Sequence, residues 1–179
     1  MNYAQIITHD VANGPGMRLS LFVSGCSRKC KGCFNKVAWD RDYGQRFTET
    51  VKRDLIEELA KPTYQGITIL GGEPFERYNK EWIRLLLLDI KAFMFGNSLP
   101  EKNVWIYTGF TYEELMADPV SRDILKLSDV LVDGPFVEEL KNLSLRFRGS
   151  SNQRIIDLKK STEKGPIMSP YMDKDYTGE

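Results

Sequence analysis

All the cysteines of this chain fall within eight residues, Cys26, Cys30 and Cys33, spaced C-x3-C-x2-C in the stretch Gly25-Cys26-Ser27-Arg28-Lys29-Cys30-Lys31-Gly32-Cys33-Phe34-Asn35. Thiols this close can converge on one metal centre if the backbone curls around it. A [4Fe–4S] cluster ordinarily takes four thiolates, so three leave one iron without a cysteine. An open coordination position is what separates a reactive metal site from a structural one, as zinc illustrates. Three other readings compete. Positions 26, 30 and 33 share a helix face and could be core cysteines, although Gly25, Gly32 and the charged Arg28, Lys29 and Lys31 suit that poorly. A Cys3His zinc site would need His9, the single histidine, seventeen residues upstream. A disulfide would leave one thiol odd, and nothing marks the chain as secreted. The cluster reading leads.

Around this loop the chain alternates short apolar strands with amphipathic helices. Tyr3–Ile7, Leu19–Val23, Ile67–Leu70, Val104–Tyr107, Val130–Val132 and Arg154–Ile156 read as strands. Thr48 is placed to cap a helix carrying Val51, Leu55, Ile56 and Leu59, which Lys61-Pro62 ends. Glu81–Phe95 reads as a largely buried helix stopped by Gly96-Asn97. Thr111 with Glu114 forms a capping box, and Asp118-Pro119 starts a helix to Leu127. Such alternation predicts an α/β fold with a parallel sheet, whose functional loops gather at the C-terminal strand ends. The cysteine loop, Gly71-Gly72-Glu73, Thr108-Gly109 and Asp133-Gly134 all fall at such ends. One domain over residues 1–160 is expected, and residues 161–179, rich in breakers and charge, are expected to form a mobile tail that adds no core.

Gly71 and Gly72 put two residues without side chains at a strand end, where a ligand can touch backbone. The plainer alternative is a strand-to-helix turn, with Glu73 complementing the next helix's N-terminus. The C-x3-C-x2-C loop, with an aromatic beside its last cysteine, resembles that of the radical S-adenosylmethionine (SAM) enzymes. Asn13-Gly14-Pro15-Gly16-Met17-Arg18, Gly32-Cys33-Phe34-Asn35-Lys36, the Tyr107–Leu115 and Asp129–Phe136 stretches and Phe147–Arg154 resemble, more narrowly, the activases of anaerobic ribonucleoside-triphosphate reductase. The resemblance spans residues 1 to about 158.

The resemblance implies a short, partial (β/α) barrel. Cys26, Cys30 and Cys33 would hold one [4Fe–4S] cluster. Gly71, Gly72 and Glu73 would hold the amino group of SAM, and Gly32, Cys33 and Phe34 would line its adenine site. Thr108 and Asp133 would touch its ribose or methionine portion, with capping and turn duty as the alternative for both. The activity implied is reductive cleavage of SAM to a 5′-deoxyadenosyl radical and formation of a glycyl radical on the large reductase subunit. That chemistry asks no base or nucleophile of the protein. Arg28, Lys29, Lys31 and Lys36 are either a solvated face or a guide for an acidic electron donor of the flavodoxin type. A radical SAM enzyme for a small molecule and a zinc-stabilised binding module are the alternatives.

Composition sets outer bounds. The 179 residues carry 25 basic and 25 acidic side chains, so no net charge draws the chain to nucleic acid. No stretch approaches the ~18 uninterrupted apolar residues of a membrane span. The N-terminus lacks a signal pattern, and cytoplasm is the expected compartment.

Overall fold

The computed structural model describes residues 1–173. Seven strands, β1 (Asn2–Asp10), β2 (Arg18–Val23), β3 (Gln45–Arg46), β4 (Gly66–Gly71), β5 (Asn103–Tyr107), β6 (Val130–Asp133) and β7 (Arg154–Asp157), form one open sheet in the order β3-β1-β2-β4-β5-β6-β7. The middle strands β2, β4, β5 and β6 run parallel, with Leu19 beside Ile67 and Ile67 beside Val104. Both margins are antiparallel: β1 on β2, β3 on β1, and β7 on β6. The expected α/β class holds, but the sheet is mixed rather than wholly parallel.

Alternation along each strand gives the sheet two unlike faces. Leu19, Leu21, Ile67, Ile69, Ile106 and Leu131 are fully buried and join one core with Leu59, Ile83, Leu86 and Ile124 of the helices. Those helices are α1 (Glu49–Leu59), α2 (Lys80–Gly96), α3 (Tyr112–Met116) and α4 (Pro119–Leu127). Their caps are the ones the sequence points to. Thr48 accepts from Val51 N, Asp118 accepts from Ser121 N, and Thr111 and Glu114 complete a capping box. α2 is less buried than its leucine run suggests. Leu86 and Leu87 face the sheet, while Leu85 and Leu88 are about two-fifths exposed, at 42% and 40%. A 3.6-residue period cannot turn four consecutive leucines onto one sheet.

The opposite face carries Arg18, Thr68 and Trp105. Arg18 is 1% exposed and has no ion-pair partner among the described residues. Its Nε donates to Thr68 Oγ1 at 2.6 Å, and its Nη2 to Ile67 O at 2.7 Å and Asn103 O at 3.1 Å. The guanidinium lies 5.6 Å from the Trp105 ring centre. Burial lowers its pKa to about 10, so it stays charged at neutral pH while fastening β2, β4 and the start of β5.

A second, smaller core on this face joins Trp105, Val130, Val132 and Ile155 to Phe147, Tyr171 and Met172. This corrects the expectation that residues after 160 add no core. Asp157 N donates to Ile167 O at 2.9 Å and Ser169 N to Ile155 O at 2.8 Å, which covers part of the free edge of β7. Tyr171 then meets Trp105 edge-on, with ring centres 5.3 Å apart. The remainder of the expected tail, residues 174–179, lies outside the described residues.

Candidate active site

At the C-terminal ends of the parallel strands lies a cleft of about 540 Å³. Cys26, Cys30 and Cys33 all line it, each partly exposed and none in a disulfide. The loop that carries them is not helical, which removes the core-helix reading. Gly25, Lys29 and Gly32 have φ of 89°, 46° and 71°, so a left-handed residue immediately precedes each cysteine. Glycine takes that conformation readily, and it costs Lys29 more. The chain thus reverses once per thiol. The start of the loop is fastened from behind: Gly25 N donates to Ala38 O at 2.8 Å and Cys26 N to Trp39 O at 3.1 Å. Burial raises the Cys26 thiol pKa, against the pull of the Arg28 and Lys29 amides.

The donor set is three soft thiols on one wall of one cleft. Among the described residues, no three His, Cys, Asp or Glu side chains converge as a single ion would require. His9 packs against Tyr64 with ring centres 5.4 Å apart and planes tilted by 47°, and it does not line the cleft. The Cys3His zinc tetrahedron therefore has no fourth ligand here. A cluster places its thiolates on separate irons, and a loop that turns once per cysteine suits that better than it suits one zinc.

The Gly71–Glu73 loop is sewn to the cysteine loop by backbone. Gly72 N donates to Val23 O at 2.7 Å and Glu73 N to Gly25 O at 2.8 Å. A Cβ on Gly72 would stand 2.5 Å from Gly25 O and 3.0 Å from Ala38 O. Gly72 is thus needed by the fit between two loops, whatever else occupies the cleft. Asn79, fully buried ahead of α2, completes the seam. Its Nδ2 donates to Ser24 O at 2.9 Å and to Glu73 O at 3.0 Å.

Glu73 lines the cleft but is 1% exposed, and three donors already hold its carboxylate. Phe75 N and the Thr108 hydroxyl donate to Oε1 at 3.0 and 2.8 Å, and Gly109 N donates to Oε2 at 2.8 Å. Burial lifts its pKa to about 7, against these hydrogen bonds and the nearby Arg28 charge. A carboxylate has about four acceptor positions, so roughly one remains for a ligand. Thr108 is committed as well: its hydroxyl donates to Glu73 and accepts from Phe110 N at 3.0 Å. It positions Glu73.

Asp133 does not line the cleft. It shares strand parity with Leu131, so its side chain enters the helix-facing layer. There it is fully buried, accepts from Tyr112 N at 2.7 Å and pairs with Arg154, which also pairs with Glu113 at 2.8 Å. The ligand contact expected of Asp133 is corrected to a structural ion pair. Gly32, Phe34 and Gly71 do line the cleft, Phe34 at 91% exposure. Of the basic run, Arg28 stacks 4.0 Å from the Phe110 ring centre and pairs with Glu114 at 3.1 Å. Lys31 bridges Glu138 and Glu139 at 3.2 and 3.1 Å.

Sequence reasoning missed three residues that shape the site. Asn79 had a visible signal, an amide just ahead of an apolar helix. Tyr107, which lines the cleft, reads only as a strand residue. Arg148 also lines it, with its Nε buried and without a hydrogen-bond partner among the described residues.

Comparison with known proteins places this site in a family. A family model described as a 4Fe–4S single cluster domain matches residues 12–156, which include all three cysteines and the Gly71–Glu73 loop. The anaerobic ribonucleoside-triphosphate reductase-activating protein of Escherichia coli K12 is 41% identical over 161 residues, 89% of this chain and 100% of that protein. Its counterpart in Enterobacteria phage T4 is 39% identical over 155 residues, 87% of this chain and 93% of the relative. The Pasteurella multocida counterpart is 40% identical over 157 residues, 87% and 96% of the two chains. With 39–41% identity to these relatives over 87–89% of its length, the chain belongs to the family of anaerobic ribonucleoside-triphosphate reductase-activating proteins.

Proposed function

We propose that this chain activates an anaerobic ribonucleoside-triphosphate reductase by radical SAM chemistry, and that its open sheet is a short form of the partial (β/α) barrel. The observation that carries the reading is one cleft lined by three free thiols and by a Gly-Gly-Glu loop whose backbone is bonded to theirs. A bound [4Fe–4S] cluster would supply the one electron needed to cleave SAM reductively to methionine and a 5′-deoxyadenosyl radical, the species that would take a hydrogen atom from a glycine Cα of the reductase.

The residues of this chain bind, orient and shield. Cys26, Cys30 and Cys33 would hold the [4Fe–4S] cluster, three thiolates that would leave one iron without a cysteine. The exposed backbone of Gly71 and the remaining acceptor position of Glu73 receive the amino group of SAM. Gly32, Cys33 and Phe34 form the adenine side of the cleft. Thr108, Asn79 and Gly72 keep the two loops in register, so a shift of one moves the other. Three free thiols suit a reducing cytoplasm. Lys29 and Lys36, exposed beside the thiols and without an ion-pair partner among the described residues, offer a landing face for an acidic flavodoxin-type donor.

The test is anaerobic reconstitution with iron and sulfide, followed by SAM and dithionite. Release of 5′-deoxyadenosine by the native chain, and its loss in Cys26→Ala, Cys30→Ala and Cys33→Ala, is the expected result. A single-cysteine variant that keeps full iron and full turnover would overturn the assignment.

A further inference from the structure

The segment joining β6 to β7 is a loop tied to itself. Gln153 Nε2 donates to Gly134 O at 3.1 Å and Asn152 Nδ2 to Pro135 O at 2.8 Å, which closes its base. Val137 N donates to Ser150 Oγ at 3.2 Å and Ser151 N to Leu140 O at 3.0 Å, bracing its middle. At its tip, Ser144 N and Oγ both donate to Asn142 Oδ1, at 2.9 and 2.6 Å. Leu143 sits inside that turn and is 90% exposed, and Leu140 is 43% exposed. A loop with so many internal bonds has little freedom to fold these leucines away.

This loop forms one wall of the cleft described above, contributing Lys141, Leu143 and Arg148 to its lining, with Phe34 on the cysteine-loop side. Its two carboxylates, Glu138 and Glu139, both face Lys31. Among the described residues, Lys141 is exposed and faces no carboxylate, and Arg148 bonds to carbonyls of its own loop, Ser151 O and Gln153 O. The rim is therefore apolar at Leu143 and Leu140 and cationic beside them. A second copy seated here would close the cleft to any substrate, which argues against self-association at this face.

We infer that the self-tied loop 134–153 is the docking surface for a polypeptide segment of the reductase, one that presents an apolar side chain to Leu143 and acidic side chains to Lys141. The inference rests on the proposed function for the identity of the partner. A preformed loop loses little conformational freedom on binding, so burial of Leu143 goes mostly into affinity.

The experiment uses the full, cluster-loaded chain with its cognate anaerobic reductase. Leu143→Asp, Lys141→Glu and the conservative Leu143→Met are compared with the native protein in three readouts: direct binding of the reductase, the KM for reductase in radical formation, and 5′-deoxyadenosine release without reductase. Leu143→Asp should weaken binding and raise KM at least about tenfold, as loss of a buried leucine contact implies. Leu143→Met should bind reductase and release 5′-deoxyadenosine as the native chain does, and Lys141→Glu should weaken binding several-fold. Native binding and KM in Leu143→Asp would overturn the inference, as would a change in sedimentation of the free chain in place of a change in KM. If the native chain releases no 5′-deoxyadenosine, the proposed function fails on that readout, while the binding comparison still decides the docking surface.

Discussion

Replacing Gly72 by alanine adds one methyl group at the seam between the two loops of the cleft. Gly72 is not among the residues with positive φ, so the backbone itself would accept alanine. Space is what forbids it. The new Cβ would stand 2.5 Å from Gly25 O and 3.0 Å from Ala38 O, both backbone atoms. Ordinary heavy-atom contact lies near ~3.5 Å, so one loop must retreat by roughly 1 Å. That movement stretches the 2.8 Å bond from Glu73 N to Gly25 O and displaces the residue directly before Cys26. Overpacking of this kind costs about 1–3 kcal/mol. For a chain of this size the loss corresponds to roughly 3–10 °C in melting temperature. Sequence alone suggests that Gly72→Ala spares the cluster and weakens only SAM binding; the geometry reverses that order. Iron bound per chain after anaerobic reconstitution should fall together with the melting temperature. Gly96→Ala is the control, since a Cβ there meets nothing within 4 Å. It should load iron fully and melt at or slightly above the native temperature. If Gly72→Ala loads iron as well as Gly96→Ala and melts within a degree of native, the seam does not position the cysteine loop.

Truncation after Lys160 should lower the melting temperature by roughly 5–10 °C, because it removes two backbone hydrogen bonds on β7 and the Tyr171–Trp105 contact, together worth about 2–4 kcal/mol. A truncated chain that melts as the native one does would restore the view of this segment as a tail without core. Asp118 supplies a pH test away from the cleft. Hydrogen bonds from Lys80 and Ser121 hold its pKa at about 2, below the usual carboxylate range. A carboxylate depressed on folding stabilises above its unfolded pKa and loses that contribution as pH falls through the folded one. Its side chain is 38% exposed, so solvent screening reduces the effect to about 1 kcal/mol. Denaturant titration should find Asp118→Asn less stable by about that much at pH 7, with the gap closing between pH 4 and 2; a gap independent of pH would mean that capping geometry, rather than charge, is what Asp118 supplies.

The strands and helices were legible because their signals are local. The Leu19–Val23 and Ile67–Leu70 runs are short, apolar and buried almost throughout, as central strands covered on both faces are, and Thr48, Thr111 and Asp118 cap the helices they precede. The cysteine loop was legible because its spacing is chemical. Asp133 was misassigned although its position is readable: two residues after Leu131 on one strand, it must share that residue's face. The packing of Tyr171 was not readable, since its partner Trp105 is 66 positions away and the intervening segment has no period to reveal it. Arg18 is similar. Its acceptors at Thr68, Ile67 and Asn103 come from strands that meet only in the sheet. The Gly71–Glu73 loop lies between these cases: its place at a strand end follows from sequence, but its bonds to Val23, Gly25 and Asn79 do not.

The most direct test of the central claim is electron paramagnetic resonance on the reductase itself. Cluster-loaded chain, SAM, reductant and cognate reductase are incubated without oxygen, using reductase made with either ordinary or α-deuterated glycine. The account predicts a stable carbon-centred radical on the reductase that requires both SAM and this chain, and whose hyperfine splitting collapses when the glycine is deuterated. No radical from a fully loaded chain that binds its reductase, or a radical whose spectrum ignores glycine deuteration, would contradict it.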